Sequence, residues 1–366
     1  MSGGVDSSVA AALLKEQGYD VVGVTMRLYD EDGGAGGRGC CGFSGARDAA
    51  RVAAKLGFPH YTWDFRKEFE ASVIEDFCSE YGRGRTPNPC LRCNEVLKFN
   101  ELLGRASQLG ADLIATGHYA RICRKMQTAN CKLQTADMMR MQAAWQLLRS
   151  VDEKKDQSYF LYAMTQEQLG WVLMPVGGYT KTEVRDMARR LDLPVAEKPE
   201  SQDICFVPDG DHERFLKARR PELFRPGPVL DLNGNVLGQH GGIAAFTVGQ
   251  RKGLRLAFGE RRYVVRLDAE KNAVVLGTED EARARVVEAA DARWVSGTTP
   301  AEPFRAHASV RYQSKGGEAL VEPLGGERVR VTFDEPQWAP TPGQAVVFWQ
   351  GEYVLGGATI ECGRPE

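Results

Sequence analysis

The segment that most constrains this chain lies at its start, where Ser2-Gly3-Gly4-Val5-Asp6-Ser7-Ser8 runs without a break into the amphipathic stretch Val9–Gln17. Two glycines let a backbone approach an anion closely, and the N–H groups at a helix start point toward it. Ser7 and Ser8 add hydroxyl donors, and Asp6 is a candidate Mg2+ ligand. A bare Gly-Gly would read as the flexible start of an N-capped helix, whereas the seven-residue string is far more specific. The Gly-Lys-Ser/Thr signature of a Walker loop is absent, so the phosphate cradle is of another type.

Beyond the loop, strand and helix alternate along the chain. Tyr19–Met26 is a β-branched run, and Ala46–Leu56 has helical spacing and stops at Gly57, a C-cap residue type. Pro59–Phe65 reads as a strand, Glu95–Leu109 as a helix halted by Gly110, and Asp112–Thr116 as a short buried strand ending at Gly117-His118. Such alternation predicts an α/β domain with a parallel sheet wrapped by helices, whose ligands sit at the carboxyl ends of strands. From Pro226 onward, Gly and Pro turns separate short strands at Arg262–Leu267, Ala273–Leu276, Ala306–Tyr312, Arg328–Phe333 and Ala345–Trp349. That spacing predicts a small antiparallel β-barrel or sandwich. The expected division is a catalytic α/β domain over 1–208, a connecting α+β domain over 209–271 and a β domain over 272–366. Cys123–Trp145, rich in Met, Gln and Thr without clean periodicity, is expected to loop out of the core.

No apolar run approaches the ~18 residues that a membrane helix needs. The start is polar and glycine-rich, unlike a secretory signal, so a cytoplasmic location without membrane contact is the expectation. The nine cysteines then read as thiols, metal ligands or catalytic groups before they read as a disulfide frame. Cys90 and Cys93 follow Thr86-Pro87-Asn88-Pro89, and Cys93 sits just before the expected helix start with Arg92 beside it, a setting that lowers a thiol pKa. Cys205, in Glu200–Phe206, is a second polar-flanked cysteine. One thiol of such a pair can carry sulfur as a persulfide while the other attacks it and resolves the product as a disulfide. Half a zinc site lacks its second half here; a cluster on Cys90, Cys93 and Cys205 is the stronger alternative. Cys40, Cys41, Cys78, Cys123, Cys131 and Cys362 have no such context and read as inert filler.

The loop resembles that of the PP-loop ATPases, which split ATP between the α- and β-phosphates. With the cysteines added, the whole chain resembles the tRNA-specific 2-thiouridylases (MnmA family). The strings that carry the resemblance are SGGVDSS (2–8), VTM (24–26), TPNPCLRCNEVLKF (86–99), TGHYAR (116–121), KKDQSYFL (154–161), ESQDICFVPDGD (200–211) and TVGQRKGL (247–254), in family order. The resemblance implies ATP-dependent sulfur transfer to the wobble uridine in the anticodon stem-loop of tRNA, by adenylation of the uracil O2, with AMP and pyrophosphate released. It further implies a transferase with a HUP-type catalytic domain and a cysteine desulfurase or sulfur-relay protein as donor. Carried over residue by residue, Cys93 is the nucleophile and Cys205 the persulfide carrier, joined transiently as a disulfide. Ser2, Gly3, Gly4, Val5, Asp6, Ser7, Ser8, Met26 and Gly117 contact ATP, with Mg2+ placed at Asp6. Asn88, Pro89 and Cys90 approach the target base, and His118, Lys155, Asp156, Gln157, Arg311, Tyr312 and Gln344 touch the tRNA. The segment 200–211 would shield the activated base from water.

Two departures qualify the match. Some members have Asp where this chain has Cys90, which keeps a [4Fe-4S] cluster on Cys90, Cys93 and Cys205 open as an alternative route for sulfur. In the family a strand precedes the loop, whereas only Met1 stands there, so a start at an internal Met of a longer chain is expected. A PP-loop amidotransferase or ligase would keep the loop without needing the two cysteines. Net charge is −2, so any tRNA surface must be local. Two dense groups are candidates: Arg214, Lys217, Arg219, Arg220 and Arg225, and Arg251, Lys252, Arg255, Arg261, Arg262 and Arg266. The interspersed Phe215, Phe224, Phe258 and Tyr263 are expected to pack rather than to stack on bases.

Overall fold

The computed structural model describes residues 1–29, 43–124, 144–200, 204–207, 210–254 and 259–365. The first helix, α1 (Val5–Glu16), begins directly after the glycine pair. Its single apolar face expected from the sequence is instead burial on most sides, with Val5, Ser8, Val9, Ala10, Ala11, Ala12 and Leu14 all enclosed. Alanines make this possible, because they favour helix and leave it slim enough to fit between neighbours. Those neighbours are α2 (Phe43–Leu56) and α3 (Lys181–Arg190), whose Val52, Val184 and Ala188 join Val5, Val9 and Tyr119 in one core.

Beside these helices, β1 (Gly23–Arg27) pairs in parallel with β2 (His60–Asp64), Gly23 opposite His60 and Arg27 opposite Asp64. Met1 lies along β1, its amino group donating to the Val24 carbonyl and its carbonyl accepting from Thr25 Oγ1 at 2.7 Å. A second parallel pair joins β3 (Ile114–Ala115) to β6 (Val172–Leu173). The parallel pairing and flanking helices are those of the α/β class that the alternating pattern predicts.

The helix expected over 95–109 starts earlier and is not uniform. A short helix, Pro89–Arg92, leads into a π-helix, Cys93–Glu101, and then into α-helix Leu102–Gln108. Asn88 caps the start, its side chain accepting from the Leu91 N–H at 3.3 Å, and Pro89 occupies the first helical position.

A four-stranded sheet comes next, in the order β8 (Val236–His240), β7 (Gly227–Leu230), β10 (Ala273–Gly277), β9 (Tyr263–Asp268). Val229, Ile243, Phe246, Val264, Val274 and Leu276 form its core. The last module is a closed antiparallel barrel of six strands. It runs β11 (Arg283–Trp294), β14 (Arg328–Trp338), β13 (Gly317–Gly325), β12 (Phe304–Ser309), β15 (Ala345–Gln350), β16 (Tyr353–Arg364), and β16 closes back on β11. Closure leaves no open edge. Its interior is filled by Val287, Phe304, Ala306, Val331, Phe333, Phe348 and Ile360.

The expected loop at 123–145 requires correction at its ends. β4 (Ala120–Arg124) and β5 (Trp145–Arg149) pair antiparallel, from Ala120 opposite Arg149 to Arg124 opposite Trp145. β5 also pairs with β16 at Tyr353, so this arm of the first module extends the wall of the last. Residues 125–143 lie outside the described residues, as do Cys40, Cys41 and Cys131. Among the described residues no helix is long and apolar enough to cross a membrane.

Phe348 is fully buried in the barrel and stacks on Trp294 with ring centroids 5.7 Å apart. Phe348→Ala should lower stability by about 3–5 kcal/mol in urea unfolding; a loss under about 1 kcal/mol would show that the barrel collapses around the gap.

Candidate active site

Glycine is required at two places where the chain closes on itself. Gly3 has φ +72°, and a Cβ there would lie 2.1 Å from the Gly45 carbonyl oxygen in α2. A Cβ on Gly117 would lie 2.6 Å from the Ser7 nitrogen, so the loop 116–119 rests directly on the first turn of α1. Gly4 is the N-cap of α1 and supplies no side-chain cap. Ser7 and Ser8 hydroxyls both donate to the Gly4 carbonyl, at 3.2 and 2.8 Å, and Ser2 N donates to Ser7 Oγ at 3.1 Å. Ser8 is fully buried, so its hydroxyl shapes the turn rather than facing outward.

Asp6 is held from two sides. Lys181 Nζ bonds both carboxylate oxygens at 2.7 and 2.9 Å, and the Tyr119 hydroxyl donates to Oδ1 at 2.8 Å. Burial and the Asp6 charge push the Tyr119 phenol far up, which keeps it protonated as the donor. Lys198 Nζ donates to the Gly3 carbonyl at 3.0 Å and pairs with Asp48 at 2.7 Å. Glu200 pairs with Lys155 at 2.6 Å and Lys181 at 3.1 Å. Burial raises the Glu200 carboxyl, but the hydrogen bonds from Lys155 and Lys181 outweigh it and the net direction is down. Lys181, Lys198, Tyr119 and Glu200 were not legible as loop partners. One signal was available for Lys181, which opens a helix capped by the Thr180–Glu183 box, at the end where a cation is disfavoured.

Two of the candidate cysteines lie against one apolar cluster. Cys93, Cys205 and Met26 all pack against the core of Leu28, Phe65, Phe69, Phe77, Leu97 and Phe206. Cys93 is not at the helix start that sequence spacing suggested. The Asn88 cap moves that start to Pro89, so Cys90 stands in the first turn and Cys93 at the entry to the π-helix. The helix N-terminal field therefore falls more on Cys90, which is exposed, than on half-buried Cys93. Arg92, the expected cationic neighbour, is paired with Glu95 at 3.2 Å. Cys78 is a buried free thiol, and burial raises its pKa as inert packing requires.

His118 links the cysteine helix to the phosphate loop. It is buried, with Nδ1 2.8 Å from Thr116 Oγ1 and Nε2 3.4 Å from Lys98 Nζ. Charged lysine can only donate, so Nε2 is the acceptor and Nδ1 carries the proton. Burial, then the Lys98 charge, holds His118 well below its ordinary value and therefore neutral. Asp156 is buried and accepts from the Ser150 and Ser158 N–H groups and the Ser158 hydroxyl. Gln157 Oε1 accepts from the Tyr119 N–H at 2.9 Å. Arg311 donates to the Ala339 carbonyl at 3.1 Å, and Tyr312 lies on Phe160 with centroids 4.3 Å apart. Gln344 reaches from the barrel to the Thr86 and Pro87 carbonyls at 2.9 and 3.2 Å, and Thr86 N donates to the Pro342 carbonyl. The barrel thus braces the loop that carries Asn88, Pro89 and Cys90.

Among the described residues, four of the eleven expected basic residues stand in ion pairs, three in the first cluster and one in the second. Lys217 pairs with Glu213, Arg219 with Glu70, Arg220 with Glu75, and Arg262 with Glu260. Arg255 and Phe258 lie outside the described residues, as do 201–203 and 208–209 of the expected water shield. Phe215 and Phe224 pack against the cysteine-side core, and buried Tyr263 meets Trp338 edge-on, so the described aromatics pack as expected. Among the described residues no group of three or more His, Cys, Asp or Glu is placed to hold a metal ion. Asp6 accepts two bonds on Oδ1 and one on Oδ2, which leaves an acceptor position on Oδ2 that could take Mg2+.

The profile described as tRNA methyl transferase HUP domain matches residues 1–209. The tRNA methyl transferase PRC-barrel domain matches 213–278, and the aminomethyltransferase beta-barrel domain matches 284–360. Together they define a three-module protein built on a HUP domain. Full-length relatives sharpen this. The tRNA-specific 2-thiouridylase MnmA of Heliobacterium modesticaldum is 50% identical over 363 residues, covering 98% of this chain and 91% of that protein. Its namesake in Carboxydothermus hydrogenoformans is 50% identical over 364 residues, 99% of this chain and 96% of that one. The one in Roseiflexus castenholzii is 48% identical over 361 residues, 98% and 97%. The chain belongs to the tRNA-specific 2-thiouridylase family.

A neutral buried histidine has a signed effect on stability. The folded pKa of His118 lies below the unfolded value of 6.5, so the unfolded state takes up the proton first and stability falls as pH drops through and below that value. His118→Gln should flatten the decline in urea-unfolding stability between about pH 7.5 and 5; an unchanged slope would contradict a buried neutral imidazole.

Proposed function

We propose that this protein is an ATP-dependent tRNA-uridine 2-sulfurtransferase acting on the wobble uridine, with Cys93 and Cys205 as its sulfur-handling pair. The observation that carries the reading is the packing of Cys93, Cys205 and Met26 on one apolar cluster, with Lys98 of the cysteine helix bonded to His118, whose neighbour Gly117 rests on Ser7. The names of the relatives agree with it.

The chemistry needs activation because a uracil carbonyl is a poor electrophile with a poor leaving group. ATP bound at residues 2–8, beside Met26 and Gly117, supplies an adenylyl group to the uracil O2 and leaves as pyrophosphate. The terminal sulfur of a Cys205 persulfide attacks C2, and AMP departs with the former O2. The Cys93 thiolate then attacks the inner Cys205 sulfur. The thiocarbonyl is released and a Cys93–Cys205 disulfide remains, which a thiol reductant reopens. A cysteine desulfurase or sulfur-relay protein reloads Cys205. Asn88, Pro89 and Cys90 face the extruded base, which leaves its stack at a cost of a few kcal/mol. Neutral His118 with Lys155, Gln157, Arg311, Tyr312 and Gln344 frames the tRNA side. Asp156, committed to internal bonds, positions the 150–158 turn.

An amidotransferase or ligase would have no use for the paired cysteines. Nucleoside mass spectrometry of tRNA from cells lacking the protein, with this chain added back, should show restored 2-thiouridine. Cys93→Ser and Cys205→Ser should each leave 2-thiouridine at background. Full activity of Cys93→Ser would remove it as the resolving nucleophile.

A further inference from the structure

Three cations converge on one carboxylate beside the phosphate loop. Glu200 lies 2.6 Å from Lys155 Nζ, 3.1 Å from Lys181 Nζ and 3.8 Å from the Arg185 guanidinium. Lys181 is simultaneously bound to Asp6 in the first turn of α1. Its position is unfavourable by itself. It is the first residue of α3, where the helix dipole repels a cation, and its side chain is only 13% exposed. A cation so placed is kept with anionic partners. Asp6 supplies one from within the loop, and Glu200 supplies the other from outside it.

The source of that second anion is informative. Glu200 ends the strip 196–200, which Lys198 ties to the Gly3 carbonyl and Asp48, and which Arg185 ties through the Ala196 and Lys198 carbonyls. The strip is anchored on the loop, whereas the Glu200 side chain itself stays 30% exposed and open to exchange.

We propose that Lys181 and Arg185 form the seat for the pyrophosphate end of the nucleotide, and that Glu200, steadied by Lys155, fills this seat when no nucleotide is bound. The inference rests on the ATP reading above. A polyphosphate offers more charge and more oxygens to the same donors than one carboxylate does, so it displaces Glu200 on binding. After adenylyl transfer the carboxylate competes with product pyrophosphate for the same cations and speeds its departure. Glu200 therefore opposes ligands that carry the β- and γ-phosphates and leaves AMP untouched.

Isothermal titration of the full chain with inorganic pyrophosphate, ATP and AMP at fixed ionic strength tests this. Glu200→Gln, nearly isosteric, should bind pyrophosphate about tenfold more tightly. Lys181→Gln should bind it at least about tenfold more weakly. AMP affinity should stay unchanged in both, and Glu200→Asp should behave like the wild type within its shorter reach. Unchanged or weaker pyrophosphate binding by Glu200→Gln, or a parallel change in AMP affinity, would overturn the inference. A wild type that binds ATP normally, with pyrophosphate affinity indifferent to Glu200, sinks this inference alone. A wild type that binds no ATP sinks the functional reading beneath it.

Discussion

The close contact between Gly117 and the first turn of α1 is the constraint on which the site depends. With no side chain at Gly117, the loop 116–119 reaches the Ser7 backbone, and this lets Tyr119 bond Asp6 while His118 turns toward Lys98. Gly3 makes the matching approach to α2 from the other side. Both contacts involve backbone, which cannot rotate away, so any side chain at either position would have to move a main-chain segment. The phosphate loop is thus preorganised by sterics first and by the Lys181 and Lys198 ion pairs second.

Two of the modules contribute to one locus. The HUP module supplies the loop and the cysteine-bearing helix. The barrel braces that helix's approach through Gln344 and Pro342, and β5 in turn pairs with β16. Removing the barrel would free the loop at 86–90, so the last module is part of the active-site scaffold rather than an appendage.

Much of this was legible in the sequence, and the misses have physical causes. The glycine pair that opens α1 and the alternation of strand and helix depend on local residue types, and local reading suffices for those. β11 was missed because Arg283–Trp294 is rich in Ala and Arg, good helix formers, and only pairing with β14 and β16 makes it a strand. The helix at 95–109 was placed too late because Asn88-Pro89 reads equally as a turn and as a cap followed by a first helical residue. Two carboxylate partners of the first basic run, Glu70 and Glu75, lie about 145 residues away in sequence and could not be read locally. Lys181 and Glu200 were silent for the same reason: an ion pair between distant segments leaves no periodic trace.

The central claim is that Cys205 delivers a persulfide sulfur to an ATP-activated uridine and that Cys93 resolves the product as a disulfide. It is tested most directly by peptide mass spectrometry after a single turnover with persulfide-loaded protein, ATP and tRNA, in the absence of thiol reductant. The account predicts a Cys93–Cys205 disulfide formed in step with 2-thiouridine and absent when ATP is withheld. Thiolated tRNA produced while both cysteines remain reduced would contradict it.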